Sequence, residues 1–263
     1  MAVTFQKFEN EHMSFYSRLS VVYDRLFPGS ENQVQFLRPL LKGRVLDVGA
    51  GTGTLMQKLA PGLDHIDGLE SSPDMLEQAH FKLQETPNAR MTLGDMRDLK
   101  GLFSGPYDSI YCVGNTLVHL DGPEEIRGFL KQTLDLLRPG GTLILQTVNY
   151  DRVLKEEVRT LPLLQREKIS FQRKYAPLGD RIVFIGTLTQ NGQLVGEETT
   201  LLYPLTFEEL KKWLIQTGYT DLKFHGDFDQ RPFEPEGPAL IAVARKPWAS
   251  HINFDQITGQ VGR

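Results

Sequence analysis

The chain lacks the excess of positive charge that is typical of proteins that bind nucleic acid. Its 29 Lys and Arg residues stand against 33 Asp and Glu residues, which gives a net charge of −4. Such a surface would not follow a phosphate backbone, so we expect no nucleic-acid partner. Cysteine is almost absent, because Cys112 is the single one in the sequence. One cysteine excludes an intramolecular disulfide and suits a reducing compartment.

Long apolar runs are also absent, since none approaches the roughly 20 residues that span a membrane. The first residues lack the charged-then-apolar order of a signal peptide. We therefore expect a cytoplasmic protein without a membrane partner. The six histidines do not have the spacing of metal ligands, so no metal site is predicted. With 263 residues, 40% of them hydrophobic, the chain can bury a substantial core.

What the sequence does contain is a glycine-rich stretch at residues 45–55, Val-Leu-Asp-Val-Gly-Ala-Gly-Thr-Gly-Thr-Leu. The apolar residues around Asp47 predict a short buried strand. Gly49, Gly51 and Gly53 let the backbone turn sharply and approach a ligand without interference from Cβ atoms. The residues that follow predict a helix whose first N–H groups point back at the loop. The stretch predicts a nucleotide-binding turn, with a purely structural turn as the alternative.

The spacing of the glycines decides which nucleotide such a turn would bind. The dinucleotide pattern G-x-G-x-x-G, counted from Gly49, requires a glycine at position 54, where the chain has Thr54. Asp47 precedes the loop, and its carboxylate would repel a pyrophosphate but attract an ammonium group. The turn therefore favours a nucleoside that carries an amino acid, and a nicotinamide oxidoreductase stays as an alternative.

Strand and helix patterns alternate along the first 150 residues, after two amphipathic helices predicted at residues 12–42. This order predicts an α/β fold with a doubly wound, mostly parallel sheet, in which ligands bind at the carboxyl ends of the strands. The predicted strand ends carry polar side chains, namely Asp47, Glu70, Asp95, Asn115 and Asn149. Glu70, at the end of the second strand, is placed to hold a ribose diol.

The pattern changes after residue 150, where strands follow one another without helices. They are predicted at residues 169–175, 181–188 and 194–203. Asn191-Gly192 marks a hairpin, so we expect a small antiparallel insertion at about residues 165–204. A capping box at Thr206 begins a helix, and two further strands complete a seven-stranded sheet. We expect one domain over residues 1–246 and a tail over residues 247–263.

Several of these signals occur together in a known family. The glycine loop, the two strand-end acids, the Asp95-Met96 pair and the Arg-Pro-Gly-Gly segment at residues 138–141 follow in order. In this the chain resembles the class I S-adenosylmethionine-dependent methyltransferases. Over about residues 20–246 it also resembles the branch of the glycine N-methyltransferases and glycine/sarcosine methyltransferases. The narrower likeness rests on Gly114 to Leu120, Asn149-Tyr150-Asp151, Leu202-Tyr203-Pro204 and Gly226-Asp227-Phe228.

The resemblance implies a Rossmann-like methyltransferase fold and an enzyme that uses S-adenosylmethionine, with S-adenosylhomocysteine as product. The residues that it implies for the cofactor are Asp47, Gly49, Ala50, Gly51, Gly53, Glu70, Ser71, Asp95, Met96, Cys112, Val113 and Gly114. Among them, Asp47 would lie near the ammonium group and Glu70 would hold the ribose hydroxyls. Asp95 and Met96 would meet the adenine.

The implied acceptor pocket contains Asn115, His119, Asn149, Tyr150 and Tyr203, and the catalytic residues would be His119, Asn115 and Tyr150. One departure matters. In the animal glycine enzyme an Arg before the Asn-Tyr-Asp triplet binds the substrate carboxylate, and this chain has Val148 there. We therefore expect N- or O-methylation of a small molecule. The alternatives are a silent S-adenosylmethionine-binding protein and an enzyme for glycine or sarcosine with another carboxylate anchor; monomer and homo-oligomer stay open.

Two side chains carry sharper hypotheses about the acceptor. Methyl transfer from a sulfonium mainly requires alignment, and a general base helps only a protonated acceptor. His119 is the histidine near the strand ends that could provide it, and a packing role is the alternative. Arg173 shares one face of its predicted strand with Phe171 and Tyr175, so it could replace the missing anchor. A solvated charge on an edge strand is the alternative.

Overall fold

The computed structural model describes residues 15–248, with only the backbone of residues 15–18. The helices are α1 (Phe15–Leu26), α2 (Glu31–Leu37), α3 (Thr54–Leu59), α4 (Pro73–Leu83), α5 (Leu99–Leu102), α6 (Pro123–Leu136), α7 (Tyr150–Lys155) and α8 (Phe207–Thr217). The strands are β1 (Arg44–Val48), β2 (His65–Glu70), β3 (Ala89–Leu93), β4 (Tyr107–Cys112), β5 (Leu137–Val148), β6 (Leu164–Arg166), β7 (Ile169–Leu178), β8 (Arg181–Gln190), β9 (Gln193–Leu202), β10 (Thr220–His225) and β11 (Ala239–Arg245). The predicted helix start at residues 12–14 and most of the predicted tail, residues 249–263, lie outside the described residues.

The main sheet has seven strands in the order β10-β11-β5-β4-β1-β2-β3. Strands β1 to β5 run parallel to one another, whereas β11 pairs antiparallel with both β5 and β10. The predicted α/β class with a doubly wound, mostly parallel sheet is confirmed. Because β1 to β5 point the same way, the loops after β1, β4 and β5 meet at one edge, which is where parallel sheets bind ligands.

Apolar side chains on both faces of the central strands explain why this sheet is buried. In β1, the side chains of Val45, Leu46 and Val48 have no exposed surface, and in β4 those of Ile110 and Tyr111 have none. Continuous burial of this kind is typical of parallel strands that helices cover on both sides. None of the helices between residues 15 and 248 is long and apolar enough to cross a membrane.

Local capping residues set the helix boundaries. The Ser72 hydroxyl accepts the backbone N–H of Met75 at 3.4 Å, which satisfies one of the free donors at the start of α4. At α8, the predicted capping box is present, because the Glu209 carboxylate accepts the backbone N–H of Thr206 at 3.0 Å. Pro39 lies just beyond α2, where the chain tightens into a 3₁₀ turn before β1.

The sequence pattern predicts a helix over residues 123–138 that stops at the Arg-Pro-Gly-Gly segment of residues 138–141, but the structure places this segment in strand β5. Helix α6 ends at Leu136, and β5 begins at the next residue. The reason lies in a long-range pairing: Gly140 donates to the carbonyl of Lys246, and Lys246 donates to the carbonyl of Gly141, each at 2.9 Å. A local sequence pattern does not reveal this partner, which gives the segment an extended conformation.

The insertion between β5 and α8 is a four-stranded antiparallel sheet, β6-β7-β8-β9. Three of its strands match the predicted ones, and the additional β6 covers only Leu164–Arg166. A three-residue strand is too short to show a periodicity. The predicted hairpin is present between β8 and β9, where Asn191 and Gly192 have φ values of 54° and 76°. Two positive φ values are typical of the turn that Asn-Gly favours.

Candidate active site

A cavity of about 580 Å³ opens at the carboxyl ends of β1, β4 and β5. One side, the loop wall, consists of Asp47, Gly49, Ala50, Gly51, Val113 and Gly114. The other side, the sheet wall, consists of Arg166, Phe171, Arg173, Tyr175, Phe184 and Leu202. Asn115 and His119, in the loop after β4, also line the cavity. The inserted sheet therefore covers the carboxyl end of the parallel sheet. Together the two sheets form a concave pocket of the kind that binds small ligands.

Gly49 shows why the loop after β1 needs glycine. Its φ is 80°, and a Cβ there would lie 2.5 Å from the Cγ2 atom of Thr116. The backbone N–H groups of Gly49 and Ala50 both donate to the carbonyl of Leu69 at 2.9 Å. These bonds hold the turn against the neighbouring strand β2, so a side chain at position 49 would disturb both the turn and the loop after β4.

Gly114 leaves room at the base of the cavity. Its φ is 82°, and a Cβ built there would meet no protein atom within 4 Å, so it would project into open space. The Gln146 side chain accepts the backbone N–H of Gly114 at 2.7 Å and lines the same cavity. The space next to the glycine loop thus depends on the absence of a side chain, which fits a ligand that lies against the backbone.

Asp47 is a buried carboxyl group in the loop wall, with 2% of its surface exposed. The Tyr111 hydroxyl donates to it at 2.7 Å. Burial raises the pKa of Asp47 to about 7, and the charge of Glu70 adds to this, although the hydrogen bond from Tyr111 opposes it. A carboxyl group that is costly to ionise inside the protein is well placed to receive a cationic ligand group, which would compensate its charge.

Glu70 supports the glycine loop instead of lining the cavity. Its Oε2 atom accepts the backbone N–H of Gly51 at 2.8 Å, and its Oε1 atom accepts those of Ser71 and Ser72 at 2.9 and 2.8 Å. The carboxylate thereby links the loop to the start of α4. A carboxylate has about four acceptor sites, so these three bonds leave acceptor capacity on Oε2.

Other residues predicted for a cofactor lie beyond the cavity lining, namely Gly53, Ser71, Asp95, Met96 and Cys112. Gly53 is the N-cap of α3, with a φ of 74°. The Asp95 carboxylate caps a 3₁₀ turn and contacts the Arg97 guanidinium at 2.9 Å. Cys112 is fully buried, and burial raises the pKa of its thiol far above the ordinary range, so the thiol stays protonated.

His119 lines the cavity, at the end of a 3₁₀ turn after β4. Its side chain is exposed toward the cavity, and partial desolvation by the surrounding protein lowers its pKa. The ring is therefore neutral near pH 7, with one nitrogen free to accept a proton. Within residues 15–248 its side chain has no hydrogen bond, so both ring nitrogens are available to a ligand.

Asn115 combines a position at the cavity with a left-handed backbone, since its φ is 69°. Its Oδ1 atom accepts the backbone N–H of Val148 at 2.9 Å, and its Nδ2 atom donates to the Tyr150 hydroxyl at 3.0 Å. Tyr150 itself is fully buried behind Asn115 and does not line the cavity. The structure thus brings these two predicted residues together, but only one of them reaches the ligand space.

Two residues predicted for the acceptor pocket have other partners. Asn149 is fully buried, and its Nδ2 atom donates to the carbonyls of Glu234, Pro235 and Gly237 at 3.2, 2.9 and 3.0 Å. The Tyr203 hydroxyl donates to Glu209 at 2.5 Å. Both side chains fasten elements of the fold, and neither lines the cavity. The expectation that they face the acceptor is corrected here, because their polar atoms are used elsewhere.

Arg173 faces the cavity from strand β7, as the shared strand face predicted. Its Nη2 atom donates to the carbonyl of Pro162 at 3.0 Å, whereas its buried Nε–H has no acceptor among the described residues. Burial lowers the pKa of the guanidinium, which nevertheless stays charged. An incompletely bonded, half-buried cation next to a cavity is a candidate site for an anionic ligand group.

The sequence patterns missed several cavity residues, among them Tyr23 in α1 and Phe27, which directly follows that helix. Asp24, between them, accepts hydrogen bonds from the hydroxyls of Thr52 and Thr54 at 2.5 and 2.7 Å. It thereby fastens α1 to the glycine loop and brings the two aromatic rings over the cavity. The apolar spacing of α1 predicted a helix but not its partner, because the partner is distant in sequence.

Comparisons with known proteins identify the class. A family model described as a methyltransferase domain matches residues 45–141. A glycine/sarcosine N-methyltransferase from Aphanothece halophytica is 24% identical over 212 residues, which are 77% of this chain and 76% of that protein. The CcbJ methyltransferase from Streptomyces caelestis has a similar structure, with a TM-score of 0.73, 25% identity and coverage of 89% of this chain and 98% of that one.

A second solved structure has the same fold. It is an S-adenosylmethionine-dependent methyltransferase from Clostridium acetobutylicum, with a TM-score of 0.75 at 16% identity, and the match covers 89% of this chain and all of that one. The sheet order, the glycine loop and these matches agree: the protein is a class I S-adenosylmethionine-dependent methyltransferase. Its cofactor is S-adenosylmethionine, and the nicotinamide alternative, against which the glycine spacing and Asp47 already argued, is set aside.

Proposed function

We propose that the protein methylates a nitrogen or oxygen atom of a small molecule that binds between the glycine loop and the inserted sheet. The observation that supports this most directly is the continuity of the cavity, which the loop wall and the sheet wall line together. A cofactor on one wall and an acceptor on the other would meet next to Gly114. In-line transfer of a methyl group requires this kind of alignment.

The loop wall is suited to the cofactor. Asp47 offers a carboxylate to the ammonium group, and the glycine backbone lets the methionine part approach closely. We further propose that Glu70 uses its remaining acceptor site on a ribose hydroxyl and that Asp95 and Met96 border the adenine. When bound, the cofactor supplies the methyl electrophile, so the chain itself needs neither a covalent nucleophile nor a metal.

The acceptor side has features of its own. His119 is neutral near pH 7 and reaches the cavity, so it can accept a proton from a protonated amine or a hydroxyl. Arg173 supplies a cation that the chain lacks at Val148, so an acceptor with an anionic group could be held from strand β7. A small amino acid, such as those named for the Aphanothece relative, would be held in this way. The single, buried cysteine supports a cytoplasmic location.

Calorimetric titration tests the cofactor assignment first. S-adenosylhomocysteine should bind with a stoichiometry of one, and NAD at the same concentrations should give no heat. A methyl-transfer screen over amines, amino acids and phenols, with labelled S-adenosylmethionine, then tests activity. Tight binding of S-adenosylhomocysteine without turnover of any acceptor would favour a silent cofactor-binding protein.

A further inference from the structure

Aromatic side chains form a large part of the cavity wall, although methyl transfer itself does not require them. Among the described residues, the aromatic ones that line the cavity are Tyr23, Phe27, Phe171, Tyr175, Phe184 and Phe228. Pockets lined mainly by apolar and aromatic side chains, with a few polar groups, are typical of sites for ligands with an apolar body. The arrangement of these rings therefore bears on the chemistry of the acceptor.

Five of the rings, those of Tyr23, Phe27, Phe171, Phe184 and Tyr175, form a row, which we call the aromatic row. The centroids of Tyr23 and Phe27 lie 4.8 Å apart, and Phe27 meets Phe171 edge-on at 6.0 Å. At the other end of the row, the centroids of Tyr175 and Phe184 lie 6.1 Å apart. These separations lie in the range in which aromatic pairs attract one another.

Gly186 in β8 joins the two parts of the aromatic row. A Cβ atom at this position would lie 2.9 Å from the Cζ atom of Phe171 and 3.1 Å from the Cε1 atom of Phe184. Both rings therefore lie side by side against the bare backbone of the strand. A glycine inside a strand often marks a place where another group approaches the backbone closely. Here it lets the two rings lie flat against β8, so that they do not fill the cavity.

The aromatic row crosses the cavity from the glycine loop to the loop after β4. At one end, the Cε1 atom of Tyr23 lies 3.7 Å from a Cβ atom built at Gly51. At the other end, the Tyr175 ring lies 6.3 Å from that of Tyr150, whose hydroxyl accepts a hydrogen bond from Asn115 at 3.0 Å. The hydroxyl groups of the row belong to its two terminal tyrosines. The phenylalanines between them offer a ligand only the faces and edges of rings.

Such a surface could bind an aromatic ring or a methylated ammonium group, because cations are also attracted to ring faces. The charges around the cavity distinguish the two ligands. Arg166 and Arg173 belong to the same wall as most of the aromatic row. Among the described residues that line the cavity, Asp47 is the one with a carboxylate, and it belongs to the opposite wall. A permanent cation on the row would lie on a wall that carries two guanidinium groups and no counter-ion, so a ring is favoured.

We propose that the aromatic row binds a planar aromatic ring, which forms the body of the methyl acceptor. This rests on the proposed function and adds the chemical class of the acceptor. The rings of Phe171 and Phe184 contact the ligand ring in offset or edge-to-face geometry, as aromatic pairs prefer. A small amino acid without a ring would leave this apolar surface uncovered and would gain little from it.

Four probes separate this recognition from its alternatives: benzyl alcohol, cyclohexylmethanol, tetramethylammonium and glycine. Each is titrated into protein saturated with S-adenosylhomocysteine, and the NMR signals of the probe report its binding. Benzyl alcohol should bind about two- to tenfold more tightly than cyclohexylmethanol, the range of an aromatic contact beyond the burial of area. Cyclohexylmethanol has the same hydroxyl and a saturated ring, so a merely apolar wall would bind it at least as well. The two other probes should bind at least about tenfold more weakly than benzyl alcohol.

Phe184→Leu tests the aromatic row with a side chain that is still apolar. Loss of this ring should lower the preference for benzyl alcohol over cyclohexylmethanol by at least about twofold, whereas Phe184→Tyr keeps the ring and should retain the preference. Phe224→Leu is the matched control, because Phe224 is also half-buried and meets the Phe207 ring edge-on at 4.9 Å, but does not line the cavity. It should retain the full preference. Equal losses in the two leucine variants would assign the effect to a looser fold and would contradict the proposal.

The proposal is overturned if cyclohexylmethanol binds as tightly as benzyl alcohol, if tetramethylammonium or glycine binds most tightly, or if benzyl alcohol does not bind. Affinity for S-adenosylhomocysteine is measured first in every protein. Absence of that affinity in the wild-type protein would refute the proposed function itself, and the role of the aromatic row with it. Intact binding of S-adenosylhomocysteine without a preference for the aromatic ring would refute only the role of the row.

Discussion

The two walls of the cavity differ in what they are made of. The loop wall presents backbone: Gly49, Gly51 and Gly114 have positive φ values, and Asp47 is its one ionisable side chain. The sheet wall presents side chains that reach in from β7 and its neighbours, among them Arg173 and Tyr175. A wall of backbone suits a ligand that is the same throughout a large class of enzymes. A wall of side chains can change its chemistry by substitution, without any change of fold.

The two walls also differ in how strongly the rest of the molecule holds them. The glycine loop is bonded to β2 through the carbonyl of Leu69, to α4 through Glu70, and to α1 through Asp24. On the sheet wall, the Arg173 guanidinium has one bond to a carbonyl, that of Pro162. We therefore expect substitutions in the loop wall to affect both stability and cofactor binding, and substitutions in the sheet wall to affect the acceptor alone.

The largest effect is expected for Gly49→Ala. The added Cβ atom would lie 2.5 Å from the Cγ2 atom of Thr116. The alanine would also have to adopt a left-handed backbone conformation with a φ of 80°. We expect binding of S-adenosylhomocysteine to weaken by at least about 100-fold, together with a lower melting temperature. Calorimetry and thermal denaturation measure the two effects.

Gly62→Ala is the matched control, because Gly62 has a φ of 96° but no atom within 4 Å of the added Cβ. It should lower stability by about 1 kcal/mol, the cost of the left-handed backbone, and leave cofactor affinity unchanged. Equal effects of the two substitutions on cofactor binding would show that the close packing against Thr116 is unimportant, and the contrast between the walls would lose its main support.

His119→Ala tests the histidine that lines the cavity from the loop after β4. If the ring accepts a proton from the acceptor, turnover should fall by about 100-fold, with a smaller change in the Michaelis constant of the acceptor. Because partial desolvation lowers the pKa of His119, the ring stays in its basic form down to more acidic pH than a fully solvated histidine. The wild-type rate should therefore decline only below the ordinary pKa of histidine, about 6.5.

His80→Ala, on the exposed face of α4, is the control for His119 and should leave turnover unchanged. A maximal rate that does not depend on pH, or a His119→Ala variant that loses only acceptor affinity, would assign the histidine to the lining of the pocket rather than to proton transfer.

The loop wall was largely predictable because its signals are local. Gly49, Gly51 and Asp47 occur within five consecutive residues, and their spacing is set by one turn. The parallel sheet was predictable for a similar reason, since each strand pattern and each strand-end residue can be recognised separately. Glu70 was correctly placed at the end of β2, but its bonds to three N–H groups depend on how the loop folds over it.

The acceptor side was less predictable, because a family segment does not show which groups its polar side chains are bonded to. Asn149 and Tyr203 follow the pattern of a family segment, yet Asn149 is bonded to carbonyls about 85 residues away and Tyr203 to Glu209. Gln146 was missed, because no local motif marks it, and Tyr175 was placed on the same strand face as Arg173 without a role of its own. Arg173 was found only through the alternation of side chains along a strand, which is again a local rule.

Arg173→Gln tests whether the sheet wall acts on the acceptor alone. Removal of the charge should raise the Michaelis constant of an anionic acceptor by about 10- to 100-fold, the range for a hydrogen bond to a charged group. Affinity for S-adenosylhomocysteine should stay within about twofold of the wild-type value. Steady-state kinetics with the best acceptor of the screen and calorimetry provide the two numbers.

Lys174→Gln removes a neighbouring charge from the opposite, exposed side of β7 and should change neither number. If both variants behave alike, the effect of Arg173 is one of overall charge. If Arg173→Gln weakens the cofactor as much as the acceptor, the two walls are not independent in the way that their construction indicates.

The smallest effect is expected for the pH dependence of cofactor binding through Asp47. Its folded-state pKa is raised to about 7. In the free protein, the protonated carboxyl group therefore adds to the free energy of unfolding at low pH. This contribution is lost as the pH rises from the ordinary pKa of Asp through 7. The ammonium group of the cofactor requires the ionised form. Affinity for S-adenosylhomocysteine should therefore rise by up to about tenfold between pH 6 and 8, as the carboxylate becomes available.

Asp47→Asn should remove this rise, with weaker binding at pH 8 and nearly the wild-type affinity at pH 6. Asp135→Asn is a suitable control, because Asp135 is paired with Lys100 and Lys131 on the surface of α6 and should not affect the pH profile. Calorimetry at both pH values, in buffers of different ionisation heat, also counts the protons released on binding. Proton release at pH 6 that persists in Asp47→Asn would assign the titrating group to another residue, and the loop wall would then bind its ligand through backbone alone.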